Sequence, residues 1–484
     1  MTLASSMKEF GWLTNHPLVP NDLPNLLNTD SRSLQAGQWF LPIRGQHYDG
    51  HDYIPLAMAK GAAGFFYQVS HAKHLDDEHR KFGIEVADTT LALQQLARWW
   101  RQKMGCTVIG ITGSSGKTTV KEMTGIMLQH FAPVLMTEGN YNNEIGVALT
   151  LCRLKPEHKY AVIEMGARHK GNIAFLSAMV EQDIGVLLNV GSAHVAEFGG
   201  PLKVLETKME IAAAPTLVFG SDDERISAAM DKLSNKTVIR FAERSASEVN
   251  LTRVSLDGLG SVQLTFKIGD QNLNLESNFY HNRFAINIGA CLAIGLALKL
   301  DLKECIRGLE AFHGVKGRFK VHRLDERLLI DDSYNANPES MKSGLSTLHE
   351  AYGQRQICLV LGDMLELGES SEDFHRMIGA YSASEVKPVR LLTVGTMARW
   401  IADEALSCGM KKASIQVFEN VDALMDGISD LWKDCDLIYV KGSNGMQLTK
   451  FVDACLLGAL GSNDRKSNLE TEHPKRYSAT MKDG

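Results

Sequence analysis

The chain has 484 residues, enough for two to four domains of about 150 residues each, and no apolar run reaches the roughly 18 residues of a membrane span. Its 51 basic and 57 acidic residues give a net charge of −6, which argues against a broad nucleic-acid-binding surface. Its eight cysteines form no Cys-x-x-Cys pair and residues 1–10 lack a signal-peptide core, so reduced thiols, no structural zinc and a cytoplasmic location are expected.

The first region, residues 1–88, is predicted to be small and mixed α/β. Its predicted elements are strands at Gln38–Ile43, Gly64–Gln68 and Gly83–Ala87 and a helix near His51–Lys60. Polar turns lie at Thr29–Arg32 and Asp49–His51. Arg32 could bind a phosphate with two parallel hydrogen bonds, but an ordinary surface arginine is the simpler interpretation from sequence alone.

A phosphate-binding loop is predicted at Thr112–Thr119, which reads TGSSGKTT. An amphipathic helix at Leu91–Met104 and an apolar strand at Cys106–Ile111 precede it, and helical spacing follows from Val120 to Phe131. Between a strand and a helix, such a loop presents backbone N–H groups and the positive helix end to a polyphosphate. A glycine turn that binds nothing is the alternative. The context favours an ATP or GTP site.

The loop residues suggest individual roles. Lys117 would lie against the outer phosphates, and the Thr118 hydroxyl would ligate Mg²⁺. Gly113 lies three residues before Gly116, whereas the standard loop has its first glycine five residues before the second. The residues expected to contact the nucleotide are Gly113, Ser114, Ser115, Gly116, Lys117, Thr118 and Thr119.

Continuous apolar strands at Tyr160–Met165 and Ile184–Val190 predict a parallel sheet covered on both faces. Glu164 ends the first strand, where ligands bind in open α/β sheets, so it is a candidate Mg²⁺ ligand; a solvated strand end is the alternative. His194 follows the second strand and is a candidate ligand or a structural histidine. By composition, Lys208 lies on a solvated helix face.

The pattern changes beyond residue 236. Alternating polarity at Val262–Ile268 and Asn272–Leu275, interrupted by Asp257-Gly258 and Gly269-Asp270, predicts antiparallel hairpins within residues 236–280. A helix of small residues is predicted at Phe284–Leu300.

The last region begins near Val315. Its predicted strands are Arg327–Asp331, Gln356–Leu361, Arg390–Val394, Ile415–Phe418 and Asp436–Val440. Each precedes a helical stretch, which predicts a Rossmann-like domain. The polar stretch Asp331–Pro338 is suited to sugar hydroxyls or a phosphate-bound metal, or else is an Asx-rich turn that caps the next helix. Residues 461–484 are polar and aperiodic, and are predicted to be disordered.

Several stretches together resemble the Mur ligase family, the ATP-dependent enzymes that form amide bonds in bacterial cell-wall precursors. The short loop at Thr112–Thr119 is similar to that family's form. The other stretches that carry the resemblance are Thr29–Arg32, Gly139–Gly146, Glu164–Gly166, Ala193-His194, Phe198-Gly199, His281-Asn282, Gly317-Arg318, Asp331–Pro338, Leu361–Gly368 and Lys441–Ser443. They are most similar to the branch that adds D-alanyl-D-alanine to a UDP-N-acetylmuramoyl-tripeptide.

The resemblance implies an α/β fold of three domains. Residues 1–88 would bind the UDP precursor, 89–315 would be a P-loop ATPase with a parallel sheet plus an antiparallel hairpin section, and 316–460 would be a Rossmann-like ligase domain. It also implies the UDP-tripeptide and D-alanyl-D-alanine as substrates. Neither a nucleic acid nor a membrane is implied as a partner, and a monomer is expected.

The resemblance further implies ATP and two Mg²⁺ ions as cofactors. Thr118 and Glu164 would hold the first ion, and His194 and a carbamylated Lys208 would serve the second. Lys117, His194 and Lys208 would take part in catalysis. Further implied contacts are Asn282, Arg318 and Asp332 with ATP, and Ser31, Arg32 and Asn143 with the UDP-tripeptide.

Other classes stay open at this point. Another Mur ligase or a folylpolyglutamate synthetase would share the ATP chemistry and differ in the acceptor, although the folate enzyme lacks a UDP-binding domain before the phosphate loop. A P-loop switch or assembly ATPase would bind partners instead. Phosphate release that requires both an acyl acceptor and an amine would identify a ligase.

Overall fold

The computed structural model describes residues 2–14, 16, 19–45, 47–191, 200–257, 260–277, 280–281, 283–426, 432 and 434–460. The chain divides into two compact units, of which the described residues are considered below. The first unit contains Met1–Val254, Leu264–Leu275 and Arg283–Phe312, and the second contains Ser255–Gln263, Glu276–Asn282 and His313–Gly484. The predicted disordered tail at 461–484 lies outside the described residues. Every helix that the structure describes is too short or too polar to cross a lipid bilayer.

The amino-terminal region contains a five-stranded sheet in the order β1-β5-β4-β3-β2. Its strands are β1 Leu13–Thr14, β2 Leu27–Asn28, β3 Trp39–Phe40, β4 Gly64–Gln68 and β5 Gly83–Val86. Strand β1 pairs antiparallel with β5, and the other pairs are parallel. The predicted strand at Gln38–Ile43 is therefore shorter than expected. The helices of this region are Leu3–Phe10, Ile54–Ala59, Asp77–Arg80 and Thr89–Lys103.

The nine-stranded sheet follows in the order β14-β13-β12-β11-β10-β9-β6-β8-β7. Its strands are β6 Thr107–Thr112, β7 Val134–Met136, β8 Tyr160–Glu164, β9 Ile184–Leu187, β10 Thr216–Gly220, β11 Thr237–Ala242, β12 Val249–Leu256, β13 Val262–Ile268 and β14 Gln271–Ser277. The helices beside it are Lys117–Gln129, Glu144–Cys152, Asn172–Val180, Pro201–Met209, Glu224–Met230, Phe284–Ala297 and Leu302–Glu310. The pairs from β7 across to β12 are parallel, as the continuous apolar strands predicted.

One prediction for this sheet begins too early in the chain. Residues 236–280 were expected to form antiparallel hairpins, but β11, at the start of that range, pairs parallel with both β10 and β12. The predicted hairpin at Gly269-Asp270 is confirmed, because β13 and β14 are neighbours in the sheet and only these two residues join them, a connection too short for parallel strands. The helix Phe284–Ala297 packs against β10 and β11 and covers one face of the parallel section.

The six-stranded sheet has the order β15-β16-β20-β17-β18-β19. Its strands are β15 Lys320–Leu324, β16 Arg327–Asp332, β17 Ile357–Gly362, β18 Arg390–Val394, β19 Ile415–Phe418 and β20 Leu437–Lys441. The helices are Pro338–Tyr352, Ser371–Tyr381, Arg399–Ser407, Val421–Met425 and Leu448–Leu460. The five predicted strands are parallel, and each precedes a helix. The antiparallel edge strand β15 was missed because its only apolar residues, Val321 and Leu324, are three positions apart and so show no alternation.

Short helical segments complete the fold. They are 3₁₀ helices at Leu23–Leu26, Gly50–Tyr53, Val69–His74, Glu210–Ala213, Gly368–Ser370, Lys412–Ser414 and Asn444–Met446, and a π-helix at Ser382–Val386. The strands β6, β8 and β9 are buried almost throughout, so their carboxyl ends and the loops that follow are fixed by a packed core. These three neighbouring strands position the site described next.

Candidate functional site

The predicted phosphate loop joins β6, which ends at Thr112, to the helix that begins at Lys117. Gly113 and Gly116 have φ angles of +157° and +82°, which side-chain-bearing residues rarely adopt. A Cβ atom on Gly116 would also lie 3.1 Å from Asn287 Oδ1. Glycine is thus required at both positions by backbone conformation, and at the second by close packing as well.

Asn189, in the loop after β9, holds the phosphate loop in shape. Its backbone carbonyl accepts from Ser114 N at 3.1 Å, its Oδ1 accepts from Ser115 N at 3.0 Å, and its Nδ2 donates to Ser115 O at 3.1 Å. These two loop N–H groups are therefore directed at Asn189, contrary to the expectation that they would face a polyphosphate. The N–H groups of the first turn of a helix have no acceptor within it, and this is the end at which helices in general bind anions.

Two side chains of the loop are suited to phosphate. Lys117 Nζ donates to Gly113 O at 2.8 Å, so the ammonium lies over the loop. Ser114 Oγ is buried and has no hydrogen-bond partner among the described residues, so it is an unsatisfied polar atom in the phosphate loop. Arg283 Nη1 donates to Ser115 Oγ at 2.6 Å and adds a second positive charge beside the loop.

Thr118 and Glu164 are brought together at the ends of adjacent elements. Thr118 Oγ1 donates to Glu164 Oε2 at 2.8 Å, and Asn142 Nδ2 donates to Glu164 Oε1 at 2.8 Å. Only 2% of Glu164 is exposed, so the alternative of a solvated strand end is wrong. A hydroxyl and a carboxylate oxygen at this separation are the hard donors that Mg²⁺ prefers.

Lys208 lies on the helix Pro201–Met209 and is only 4% exposed. The composition-based interpretation of a solvated helix face is therefore wrong. Burial, and next the positive charge of Lys117, lower the pKa of Lys208 to about 7. A larger share of the Lys208 amines is consequently neutral at neutral pH than for an exposed lysine, and the neutral amine is the nucleophilic form.

Arg318 and Asp332 both lie in the second unit, and each has its own contacts there. Asp332 Oδ2 accepts from Lys441 Nζ at 2.7 Å and from Tyr439 OH at 2.8 Å, and its Oδ1 accepts from Phe319 N at 3.1 Å. The Arg318 guanidinium lies 4.2 Å from the centre of the Tyr334 ring, within range of a cation–π contact.

The predicted precursor-binding residues sit in two turns. The exposed Arg32 donates to both carboxylate oxygens of Asp30, and this hydrogen bond lowers the pKa of Asp30 to about 2. Ser31 is buried, and Lys60 Nζ donates to the carbonyls of Ser31 and Arg32 at 2.9 and 2.7 Å. Asn143 Oδ1 accepts from Gly146 N at 2.8 Å and caps the helix Glu144–Cys152, so a substrate contact would fall to its Nδ2 group.

Two predicted residues, His194 and Asn282, lie outside the described residues. The structure also adds residues that the sequence analysis did not assign: Asn142, which holds Glu164, and Asn189 and Arg283, which hold the loop. Asn189 could have been found by the argument used for Glu164, because it follows the neighbouring strand of the same sheet. Asn142 and Arg283 carry no such positional signal.

A separate polar cluster lies in the amino-terminal sheet region. Among the described residues, Asp49, His51 and His71 place ligand-type atoms within 4.8 Å of one another. Gln68 N donates to His51 Nε2 at 3.1 Å, so His51 Nδ1 carries the proton that it donates to Asp49 Oδ1 at 2.6 Å. Both ring nitrogens are engaged by the protein, and the cluster ties the Asp49 turn to β4.

We expect His51 to make the stability of the protein pH-dependent. Burial lowers the pKa of His51 from its usual value of 6.5, so the unfolded chain takes up a proton first as the pH falls. The free energy of unfolding should therefore decrease between pH 7 and pH 5. His51→Gln should reduce that slope and, by loss of buried hydrogen bonds, lower stability at pH 7 by about 1–3 kcal/mol. Urea unfolding at both pH values measures this.

His79→Gln is the matched control for His51→Gln. His79 also pairs with an aspartate, Asp76, at 2.7 Å, but 43% of its side chain is exposed. Its replacement should leave the pH slope almost unchanged. An equal pH slope in wild type and His51→Gln would contradict the assignment of the slope to the buried ring.

Three family models match the chain. They are the "Mur ligase family, catalytic domain" at residues 25–101, the "Mur ligase middle domain" at 111–295 and the "Mur ligase, glutamate ligase domain" at 317–444. Together they span most of the chain and follow the order of its three sheets.

Relatives and solved structures agree with these models. The UDP-N-acetylmuramoyl-tripeptide–D-alanyl-D-alanine ligase of Synechocystis sp. is 33% identical over 440 residues, covering 89% of this chain and 92% of that protein. The enzyme of the same name from Escherichia coli is 34% identical over 383 residues, covering 78% and 82%. A crystal structure of MurF from Acinetobacter baumannii matches with a TM-score of 0.80 at 30% identity, covering 89% of this chain and 93% of that one. The chain therefore belongs to the Mur ligase family.

Proposed function

We propose that this protein is an ATP-dependent ligase that joins D-alanyl-D-alanine to UDP-N-acetylmuramoyl-tripeptide in peptidoglycan precursor synthesis. The observation that carries the ATP-dependent part is the strand–loop–helix site with Lys117 over the loop and Thr118 bonded to Glu164. The choice of acceptor and amine rests on relatives about one third identical over most of the chain. We further propose that it acts in the cytoplasm as a monomer.

The reaction proceeds in two steps. The terminal carboxylate of the tripeptide is a poor electrophile, so its oxygen first attacks the γ-phosphorus of ATP, which forms an acyl phosphate and releases ADP. The dipeptide amine then attacks the acyl carbon, and the tetrahedral intermediate loses phosphate and a proton to give the amide. Lys117 stabilises the negative charge on the transferred phosphoryl group, and water has to be kept from the acyl phosphate because it would hydrolyse it.

The first Mg²⁺ would be held by Thr118 and Glu164, and bound there it would offset the charge of the phosphate oxygens. The hard oxygen donors and the unsatisfied Ser114 hydroxyl fit a metal-bound polyphosphate. Asn142 orients Glu164 by its hydrogen bond. We propose His194 as a residue that serves a second ion.

Lys208 is proposed to be carbamylated. Its neutral amine adds to the carbon of CO₂ and loses a proton, which converts a buried cation into an anion that can support the second ion. The low pKa of Lys208, about 7, supplies the neutral amine that this addition needs.

We propose that residues 1–88 bind the UDP precursor, 89–315 bind ATP, and 316–460 select the dipeptide. Ser31 and Arg32, with Asn143 Nδ2, would contact the UDP-tripeptide. Asn282, Arg318 and Asp332 would contact ATP. The hydrogen bond from the Lys441 ammonium would hold the Asp332 carboxylate in place for that contact.

Arg32→Ala should raise the KM for UDP-tripeptide about 10-fold and leave kcat and the KM for D-alanyl-D-alanine nearly unchanged. A charge-assisted hydrogen bond to the pyrophosphate contributes roughly 1.5–3 kcal/mol and is retained throughout the reaction, so its loss weakens binding uniformly. Initial rates at varied concentrations of each substrate measure this. Lys81→Ala, which removes an exposed cation of the same region, is the control. If Arg32→Ala changed only the kinetic constants for ATP or for the dipeptide, this region would bind one of those substrates and not the UDP-tripeptide.

Phosphate release with single-substrate omissions tests the overall proposal. Purified protein with ATP and Mg²⁺ should release phosphate only when UDP-tripeptide and D-alanyl-D-alanine are both present, with an equal amount of pentapeptide product by mass spectrometry. Phosphate release that is the same without either peptide substrate would instead indicate a P-loop switch or assembly ATPase.

A further inference from the structure

Lys121 is a fully buried cation that the proposed mechanism does not use. It lies three residues after Thr118 on the helix Lys117–Gln129, and 0% of it is exposed. Its Nζ donates to Thr137 O at 2.7 Å and lies 2.6 Å from Glu122 Oε1. Removing an ammonium from water costs several kcal/mol, and an apolar side chain at this position would avoid that cost. The hydrogen bond to Thr137 therefore explains why this buried position holds a lysine.

Thr137, which accepts from Lys121, is also hydrogen-bonded to the proposed metal ligand Glu164. Thr137 follows β7, and its N–H donates to Val162 O at 3.1 Å. Its hydroxyl oxygen, Oγ1, accepts from the backbone N–H of Glu164 at 3.0 Å. The carbonyl of Thr137 is thus held by Lys121, while its N–H and hydroxyl are held by β8.

The segment after Thr137 returns to the carboxylate of Glu164. Asn142, five residues further along, donates from Nδ2 to Glu164 Oε1 at 2.8 Å, and its carbonyl accepts from Gly166 N at 2.8 Å. The other carboxylate oxygen accepts from Thr118 at 2.8 Å. Both the backbone and the side chain of Glu164 are therefore hydrogen-bonded to the segment 137–142, and Lys121 donates to Thr137, the first residue of that segment.

We propose that Lys121 and Thr137 are positioning residues that fix Glu164 opposite Thr118. Lysine suits this place because its long stem reaches from the helix to β7 and its ammonium offers three donors, which serve a carbonyl and a carboxylate together. The metal role of Glu164 rests on the proposed function. The positioning of Glu164 by Lys121 and Thr137 goes beyond it.

Calorimetry of ADP binding tests the proposal without the ligation reaction. Lys121→Met keeps an unbranched side chain that is one atom shorter and removes its donors. It should weaken binding of ADP in the presence of Mg²⁺ about 10-fold, and leave ADP binding in EDTA nearly unchanged, because only the metal-dependent part relies on Glu164. The Mg²⁺ concentration for half-maximal ligation should rise by a similar factor, while the KM for D-alanyl-D-alanine stays constant.

Three further variants separate positioning from general stability. Thr137→Val removes the acceptor for Glu164 N–H and should produce the same selective loss; it decides the test if Lys121→Met does not fold. Met123→Ala, at a fully buried position of the same helix, should lower Tm without changing the ratio of the two ADP affinities. Glu122→Gln keeps the contact between Lys121 and Thr137 and should have little effect.

Equal losses of ADP affinity with Mg²⁺ and in EDTA, or no loss in either, would overturn the proposal. Wild-type protein that binds ADP in a Mg²⁺-dependent way but fails to ligate would refute the proposed function and leave the positioning of Glu164 intact.

Discussion

Lys117→Ala is expected to lower kcat by about 10²-fold or more at saturating ATP, with the fold intact. The Lys117 ammonium lies over the phosphate loop, 2.8 Å from Gly113 O, where it can stabilise charge on the transferred phosphoryl group. Loss of one such preorganised contact costs about 10²–10³-fold in rate. Steady-state phosphate release, with circular dichroism to verify folding, measures the effect.

Lys103→Ala is the control for Lys117→Ala, since Lys103 is an exposed lysine at the end of another helix of the same unit. It should retain nearly full activity. A Lys117→Ala protein with close to wild-type turnover would show that the loop does not carry the phosphoryl transfer.

Lys208→Ala is expected to be nearly inactive and to be partly rescued by short carboxylic acids such as acetate. The carbamate would supply a buried negative charge, and a small carboxylate can occupy the space that the truncated side chain leaves. Lys208→Arg keeps a positive charge and cannot be carbamylated, so it should be inactive and show no rescue. Activity against acetate concentration measures this directly.

The modification itself is measured by ¹³C NMR of protein equilibrated with labelled bicarbonate. A carbamate resonance should be present in wild type, absent from Lys208→Ala, and should weaken below pH 7 as the amine becomes protonated. Lys203→Ala, at an exposed position of the same helix, should keep the resonance and the activity. An active Lys208→Ala protein without added acid would refute the role assigned to this lysine.

The sequence predicted most of the fold because strongly apolar strands and glycine turns are local features. Strands at Gly64–Gln68, Val262–Ile268 and Arg390–Val394 have the predicted bounds. The point where the sheet changes from parallel to antiparallel pairing was predicted too early, because β11 still pairs parallel with β10 and β12. Which strands lie beside β11 depends on the connections of the whole sheet, and these cannot be read from the residues of β11 itself.

Site residues could be predicted where a polar side chain lies at or soon after the end of an apolar strand, as for Thr118 and Glu164. The structure places Thr118 Oγ1 2.8 Å from Glu164 Oε2. The burial of Lys208 could not be predicted, because its polar neighbours in sequence suggest an exposed helix. Lys208 is buried only by the packing of the folded chain. The same is true of Lys121 and Asn142, whose contacts join segments that lie far apart in sequence.

Oxygen tracing tests most directly the claim that this protein forms an amide through an acyl phosphate. UDP-tripeptide labelled with ¹⁸O in its terminal carboxylate is incubated with ATP, Mg²⁺ and D-alanyl-D-alanine, and the released phosphate is analysed by mass spectrometry. The account predicts phosphate that carries a single ¹⁸O, in the same amount as the peptide product, because the carboxylate oxygen that attacks ATP leaves with the phosphoryl group. Unlabelled phosphate in that amount would contradict it.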